Sequence, residues 1–344
     1  MDFDLSADQT ALRDAAIDLL DAECDSARVR AASGFDAELW AAMVEQGWTA
    51  IAVPESAGGL GFGMVEAVVL LEQSGGHVAP VPLAQQLIAL TVLADTEWGA
   101  ALIGGESVAA VARTTLEAHA DGTVSGRPEP VIYGARADVL VVPAGENLVA
   151  VDLRTIDRVP EPAMDLTREL AWIDLDHTPA AVVGGADEVA AHLDRGAVFH
   201  SAEMLGGAEA VMHLAVDYAK EREQFGRPIG SFQAVKHRCA DMLVDVEGMR
   251  SAVYHAAWAL GAGDAEAPVA VATAKVWCSD AAVRVAESAL QVHGGIGFTW
   301  ESDVHLHLKR AQLDSVAFGD ARHHRSRLAS LLAERLETGG SVLA

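Results

Sequence analysis

Tyr218-Ala-Lys-Glu-Arg-Glu-Gln-Phe-Gly-Arg-Pro-Ile-Gly-Ser-Phe-Gln233 is the stretch that decides the fold, because it joins two long amphipathic patterns of the same kind. Apolar residues recur at steps of three and four before it, over residues 198–218, and again after it, over residues 235–260. This spacing predicts two long helices packed side by side, as in a four-helix bundle. Two more helices, one over roughly residues 265–292 and one beyond Trp300, complete the predicted bundle.

A second stretch, Gln291-Val-His-Gly-Gly-Ile-Gly-Phe-Thr299, ends the third of these helices. Paired glycines stop a helix and let backbone amides approach a ligand closely, although a glycine C-cap alone explains them equally well. In the first stretch, a helix ending at a glycine would leave Arg222 at its rim, where a guanidinium can hold a pyrophosphate bidentately. His293 is more simply a packed or capping histidine than a catalyst.

Composition excludes several classes of protein. The chain has 344 residues, 51% of them apolar, and is therefore long enough for two or three domains with a large core. A net charge of −26 opposes nucleic-acid binding, and the sequence offers no stretch long and apolar enough to span a membrane. The acidic start predicts no secretory signal, and three widely spaced cysteines (Cys24, Cys239 and Cys278) fit neither a disulfide framework nor a zinc site. We expect a cytoplasmic protein with no bound metal.

Three regions follow one another along the chain. Residues 1–105 read as a helical N-terminal domain, in which Ser6 is a plausible N-cap and residues 64–74 carry an apolar stripe. Residues 106–185 hold short β-rich runs at 108–113, 131–133, 139–142, 148–153 and 170–175, which predict a small antiparallel sheet or barrel. Residues 186–344 form the helical bundle. The fold class is therefore mainly α with a central β module.

This order and these stretches resemble the acyl-CoA dehydrogenase family along almost the full chain. The start, Met1-Asp-Phe-Asp-Leu-Ser-Ala-Asp-Gln-Thr-Ala-Leu-Arg13, is similar to the family's opening helix. Gly47-Trp-Thr-Ala-Ile-Ala-Val-Pro-Glu-Ser-Ala-Gly-Gly-Leu-Gly61 resembles its N-domain glycine loop. The two bundle stretches match the family's two long signatures in the right order and spacing.

The resemblance implies an FAD cofactor and a set of residues that touch its ADP part. These residues lie in the two bundle stretches: Arg222, Gln224, Phe225, Gln233, Gln291, Gly294 and Gly295. In this family they reach a flavin seated in the neighbouring subunit, across a dimer interface, and so imply an obligate oligomer.

The family's catalytic base is missing from this chain. Relatives oxidise an acyl-CoA between the α and β carbons, with a glutamate as base and the flavin as hydride acceptor. That glutamate usually lies in a Tyr-Glu-Gly-Thr segment, and laying Leu308-Lys-Arg-Ala-Gln-Leu-Asp-Ser-Val-Ala-Phe-Gly-Asp320 on it puts Phe318 at the glutamate. Phenylalanine cannot accept a proton. Some relatives carry the base at the start of the first bundle helix, where this chain has Gly196, with Asp194 nearby.

The family's flavin-facing loop is missing as well. Relatives have a strand leading into Thr-Glu-Pro-Gly-Ala-Gly-Ser-Asp, whose backbone and hydroxyls hydrogen-bond the flavin ring. The corresponding stretch here, Val108-Ala-Ala-Val-Ala-Arg-Thr-Thr-Leu-Glu-Ala-His119, runs on without such a loop.

Together these features favour a half-site subunit of a heteromeric acyl-CoA dehydrogenase, paired as α2β2 with a catalytic subunit. The resemblance is strongest to short actinobacterial subunits that act on CoA thioesters of steroid side chains, and electron-transfer flavoprotein is the implied acceptor. Two alternatives remain open. One is a self-sufficient flavoenzyme with Asp320, Asp194 or Glu203 as an unorthodox base, and the other is a non-enzymatic scaffold or regulator.

Overall fold

A computed structural model of the chain describes residues 4–338 and residue 341. Helices occupy both ends of this part of the chain and strands its middle. The α-helices are α1 Ala7–Glu23, α2 Ser26–Ala31, α3 Ala37–Glu45, α4 Met64–Gly76, α5 Leu83–Leu93, α6 Gly99–Ile103, α7 Ala186–Glu221, α8 Gln233–Ala262, α9 Ala267–His293, α10 Val304–Val316 and α11 Ala321–Glu337.

The strands lie between α6 and α7, apart from one short pair between α7 and α8. They are β1 Ala109–Val111, β2 Glu117–Ala118, β3 Thr123–Gly126, β4 Val131–Ile132, β5 Val139–Ala144, β6 Asn147–Asp152, β7 Arg158–Glu161, β8 Leu170–Ile173, β9 Leu175–Pro179, β10 Ala181–Gly184, β11 Glu223–Gln224 and β12 Arg227–Pro228. The predicted fold class, mainly α with a central β module, is confirmed.

The β module consists of three small sheets, in the orders β1-β5-β6-β10, β2-β3-β9 and β4-β8-β7. One core of aliphatic side chains, including Leu116, Leu140, Val142 and Val151, is buried among them. The predicted all-antiparallel arrangement is wrong in one place, because β1 runs parallel to β5. Sequence periodicity shows which face of a strand is buried, but it does not show which strand becomes its neighbour.

The chain divides into two compact units. One unit contains the chain up to Ser26, then Val68–Ala79, and everything from Ala197 onward; the other contains Ala27–Ala67 and Pro80–Gly196. This division cuts across the three consecutive domains expected from the sequence, whose boundaries stay a prediction.

In the unit that holds the bundle, α9 packs against α8, α10 and α11. The buried side of α9 is largely alanine, which lets its neighbours approach closely. At the start of α1 the predicted N-cap is confirmed: the Gln9 amide donates to the Ser6 hydroxyl, and the Ser6 amide donates to Gln9 Oε1. The first three residues of the predicted opening segment lie outside the described residues.

Helices α4 and α7 touch through glycine. A Cβ on Gly206 would lie 1.7 Å from the carbonyl oxygen of Glu72, and a Cβ on Gly75 would lie 2.1 Å from the carbonyl oxygen of Glu203. Only residues without a side chain allow two helix backbones to meet this closely. No space is left for a ligand between the helices at this crossing.

A buried ion network ties α4 to α8 beside that crossing. Arg250 forms ion pairs with the buried Glu72 and with Glu209, and the Tyr254 hydroxyl donates to Glu72 at 2.5 Å. Burial raises the pKa of Glu72, while Arg250 and Tyr254 act in the opposite direction. The network compensates a carboxylate that would otherwise be costly to bury.

Among the residues that the structure describes, no helix is both long and apolar enough to cross a membrane. The cytoplasmic location stays a prediction.

Candidate functional site

The first signature stretch forms a hairpin that joins α7 to α8. Helix α7 ends at Glu221, and β11 then pairs with β12 across a turn at Phe225 and Gly226. Both turn residues have positive φ, +54° and +77°, as a tight two-residue hairpin turn requires. The expectation that the helix itself ends at the glycine is therefore wrong: the helix stops five residues earlier, and Gly226 serves the hairpin.

The side chains predicted from this stretch are exposed. Arg222 follows the last residue of α7, and its amide donates to the Tyr218 carbonyl at 2.8 Å. Gln224 is also exposed, and the Phe225 side chain is 93% exposed at the tip of the hairpin. Gln233 lies exposed at the first position of α8. These four side chains therefore lie where another molecule could contact them.

The second signature stretch ends α9 as predicted. The helix ends at His293, and Gly294 takes φ +64° and ψ −140°, a conformation that a side chain would strain. A Cβ at Gly294 or at Gly295 would meet no atom within 4 Å, so both backbone segments face open space. Gln291 is exposed in the last turn of the helix.

One ring contact brings the two stretches together. The Tyr218 ring stacks on the His293 ring with centroids 4.5 Å apart and planes 18° from parallel. His293 also bonds the Ala289 carbonyl through Nδ1 at 2.9 Å, so it is a packed helix-end residue, as expected. The structure therefore places the Arg222 segment beside the diglycine segment.

This combination fits the ADP part of FAD by its chemistry. An arginine at a helix end offers charge-assisted donors to a pyrophosphate, and open glycine backbone lets amides approach it. Among the ion pairs of the described residues, none involves Arg222. The contact of each predicted residue with FAD stays a prediction.

Phe318 lies on the turn between α10 and α11. Phe318 has φ +53° and Gly319 has φ +98°, and the Phe318 side chain is only 8% exposed. Its ring stacks on His200 with centroids 5.7 Å apart, and its carbonyl accepts from His324 Nε2 at 2.9 Å. Burial lowers the pKa of His324 to about 4, which keeps that imidazole neutral near pH 7. These contacts hold the turn, and the residue aligned with the family's glutamate presents a hydrocarbon ring.

Four buried charged or ionisable side chains surround the inner side of this turn. His200 Nδ1 lies 3.1 Å from Asp314 Oδ1 and 3.4 Å from Glu203 Oε2. Lys275 donates to the Asp314 carbonyl at 2.5 Å, and burial lowers its pKa to about 8. His200, Glu203 and Asp314 have the spacing of metal ligands, but His200 already hydrogen-bonds Asp314, and the ammonium of Lys275 lies next to them. We interpret the four as a buried ion cluster that fixes the end of α10.

The sequence did not reveal this cluster. Its members are spread over three helices, and each looks like an ordinary polar residue. Only Glu203 is among the candidate bases that the sequence offers. Lys275 is the only charged residue in the stretch Ala267–Ser279 of α9, and this is a signal that the sequence does offer.

The three alternative bases lie in different surroundings. Asp320 is the N-cap of α11 and accepts from the His323 amide at 2.8 Å. Asp194 is buried on α7. Glu203 is buried beside His200, whose ring contacts Phe318. Glu203 is thus connected to Phe318 through the His200 side chain, whereas Asp320 lies two residues after Phe318 in the chain.

A helical N-terminal region, a β module and a long helical bundle with two exposed signature segments are the architecture expected for the acyl-CoA dehydrogenase class. Models of the acyl-CoA dehydrogenase N-terminal and C-terminal domains match residues 6–97 and 184–332. The acyl-CoA dehydrogenase IpdE2 of Mycolicibacterium smegmatis is 36% identical over 332 residues, which cover 94% of this chain and 98% of that protein. The chain belongs to the acyl-CoA dehydrogenase family.

Solved structures also match this chain along most of its length. The ChsE4–ChsE5 complex of Mycobacterium tuberculosis matches with a TM-score of 0.90 and 30% identity, over 97% of this chain and 99% of the matched one. A chain of the Tcur3481–Tcur3483 steroid ACAD matches with a TM-score of 0.89 and 30% identity, over 96% of this chain and 99% of that one. FAD is the cofactor of this flavoprotein oxidoreductase family, and the predicted cofactor is confirmed.

Proposed function

We propose that this chain is the half-site subunit of a heteromeric acyl-CoA dehydrogenase. It would pair with a fuller acyl-CoA dehydrogenase subunit as α2β2 and contribute the ADP-side FAD contacts in trans. The partner would supply the catalytic base and the seat of the flavin ring.

The observation that carries this proposal is Phe318. The α10–α11 turn keeps two consecutive positive-φ residues and its glycine, while the side chain at the family's glutamate position is an aromatic ring packed on His200. A base must reach the substrate proton, and a hydrocarbon ring cannot act as one. With Phe318 aligned to the family's glutamate, this subunit has no base on the α10–α11 turn.

The exposed helix ends support the other half of the proposal. FAD, when bound, supplies the hydride acceptor, and the residues of this chain only hold it. Arg222 would pair with the pyrophosphate, and the amides around Gly294 and Gly295 would approach the same group. Their exposure in this chain fits a ligand whose remaining contacts come from another subunit.

The substrate class follows by analogy. ChsE4–ChsE5 is a complex of two named subunits, and the Tcur3481–Tcur3483 protein is called a steroid ACAD. We infer from these relatives that the complex formed by this chain acts on the CoA thioester of a steroid side chain. Electron-transfer flavoprotein stays the expected acceptor.

A self-sufficient enzyme is the second candidate, and Glu203 is the observation in its favour. This carboxylate is buried next to His200, which contacts the Phe318 ring. If Glu203 were the base, the purified chain alone would hold FAD and oxidise an acyl-CoA. A scaffold, the third candidate, would bind no FAD in any assembly.

The substitution Arg222→Ala tests the proposal in the assembled complex. Loss of charge-assisted bonds to a pyrophosphate should weaken FAD binding by roughly 10- to 100-fold, read from flavin absorbance after gel filtration. Arg322→Ala is the matched control, since Arg322 is an exposed arginine on α11. Unchanged FAD content in Arg222→Ala, with the complex intact, would favour the scaffold.

A further inference from the structure

The turn after β1 is anchored at Ala112, where it begins, and at Leu116, where it ends. The Ala112 amide donates to the Val141 carbonyl at 3.1 Å, and the Ala112 carbonyl accepts from His192 Nε2 at 2.9 Å. Burial lowers the pKa of His192 to about 4, so its imidazole is neutral near pH 7. Leu116 then rejoins the sheet, its amide donating to the Pro143 carbonyl at 2.8 Å. The turn is short and anchored at both ends.

Between these anchors, the Glu129 carboxylate accepts three hydrogen bonds from the turn. The Arg113 amide donates to Glu129 Oε1 at 2.8 Å and the Thr114 amide to Glu129 Oε2 at 3.2 Å. The Thr114 hydroxyl donates to Oε2 as well. Consecutive backbone N–H groups that converge on one point form an anion-binding nest. Here the chain fills the nest with its own side chain.

The sequence around Glu129 favours this arrangement. Glu129 stands between Pro128 and Pro130, directly before β4. Each proline fixes its own φ, and the following proline also restricts Glu129 to extended backbone. The carboxylate is therefore presented with little conformational freedom to lose, which strengthens an internal contact.

We propose that the turn after β1 is a small-oxyanion site occupied from within by Glu129, which thereby closes this subunit's own flavin-ring seat. The same stretch, residues 108–119, corresponds to the segment that holds the flavin ring in relatives. Three donors committed to an internal carboxylate are not available to a ring carbonyl or ring nitrogen. The closing of the flavin-ring seat rests on the half-site proposal, whereas the filling of the nest by Glu129 does not.

Chemical rescue tests the site in the full-length chain. Glu129→Ala should lower the melting temperature by about 3–6 °C, because it leaves three donors without their charged acceptor. Sodium acetate, compared with sodium chloride at matched ionic strength, should restore much of that loss. Glu146→Ala is the matched control, since Glu146 is an exposed carboxylate in the β5–β6 turn. Wild type and Glu146→Ala should respond equally to the two salts.

Two results would overturn the proposal. One is a Glu129→Ala variant with the same melting temperature as wild type. The other is a melting temperature of Glu129→Ala that acetate raises no more than chloride does. If Glu129→Ala does not fold, Glu129→Gln replaces it, with hydrogen exchange at the Arg113 and Thr114 amides as the readout. Faster exchange than in wild type is expected, and unchanged protection would contradict the nest.

Failure of the nest and failure of the half-site proposal give different results. A wild-type chain that binds FAD by itself would remove the half-site proposal, even if acetate rescued Glu129→Ala. A Glu129→Ala chain that acetate does not rescue would remove the nest, even if wild type bound no FAD alone.

Discussion

Phe318 shows both how far single residues can be interpreted from sequence and where that stops. Its place in the Phe-Gly pair of the turn was visible from the spacing of the family stretch. Its surroundings were not, because His200, Glu203, Lys275 and Asp314 are far apart in the chain and meet only after the helices pack. Periodicity indicates which helix face is buried, but not which polar residues meet on that face.

The first prediction concerns the polarity of this position. Phe318→Glu would add a carboxylate close to Glu203 and Asp314, in the buried cluster that His200 and Lys275 share with them. We expect a loss of about 3–5 kcal/mol in the free energy of unfolding, against about 1 kcal/mol for Phe318→Leu. Urea unfolding of both variants measures the difference. Equal stability of the two variants would contradict this expectation, because it would show that the position tolerates a carboxylate.

Long helices were the elements best predicted from the sequence. The predicted third helix over residues 265–292 is observed as Ala267–His293, and the apolar stripe at 64–74 as Met64–Gly76. Short strands were missed: β2, β3, β7 and β10 were not among the predicted runs, and the runs reached β9 only at Leu175. Their formation depends on partner strands, since two to four residues carry too little pattern of their own. The β11–β12 hairpin was missed for the same reason.

The second prediction concerns the crossing of α4 and α7. In Gly206→Ala, the new methyl group would lie 1.7 Å from the Glu72 carbonyl oxygen, so one helix must move. We expect a loss of about 1–3 kcal/mol in the free energy of unfolding.

Gly207→Ala is the control on the same helix. Its Cβ would meet its nearest atom at 3.5 Å, an ordinary contact, and alanine favours helix by up to about 1 kcal/mol. Thermal or urea unfolding compares the two alanines. If Gly206→Ala were as stable as Gly207→Ala, the backbones would not be in contact at this crossing.

For the whole molecule, the sequence predicted the family and the fold, and the comparisons confirmed both. The resemblance also implied a heteromeric assembly, which stays a proposal, and the structure adds the exposed Phe225 ring and the uncovered backbone at Gly294 and Gly295. Exposure belongs to the folded surface and has no local sequence signal. The acidic net charge of −26 makes a local cation such as Arg222 more important for an anionic cofactor.

The FAD content of the chain alone and of its complex tests the half-site account most directly. The full-length chain is purified by itself and after co-expression with a fuller acyl-CoA dehydrogenase subunit, and bound FAD is measured against protein by absorbance and native mass spectrometry. The account predicts no FAD on the chain alone and one FAD for each pair of unlike subunits in the complex. A lone chain that forms an FAD-saturated, active oligomer would contradict it.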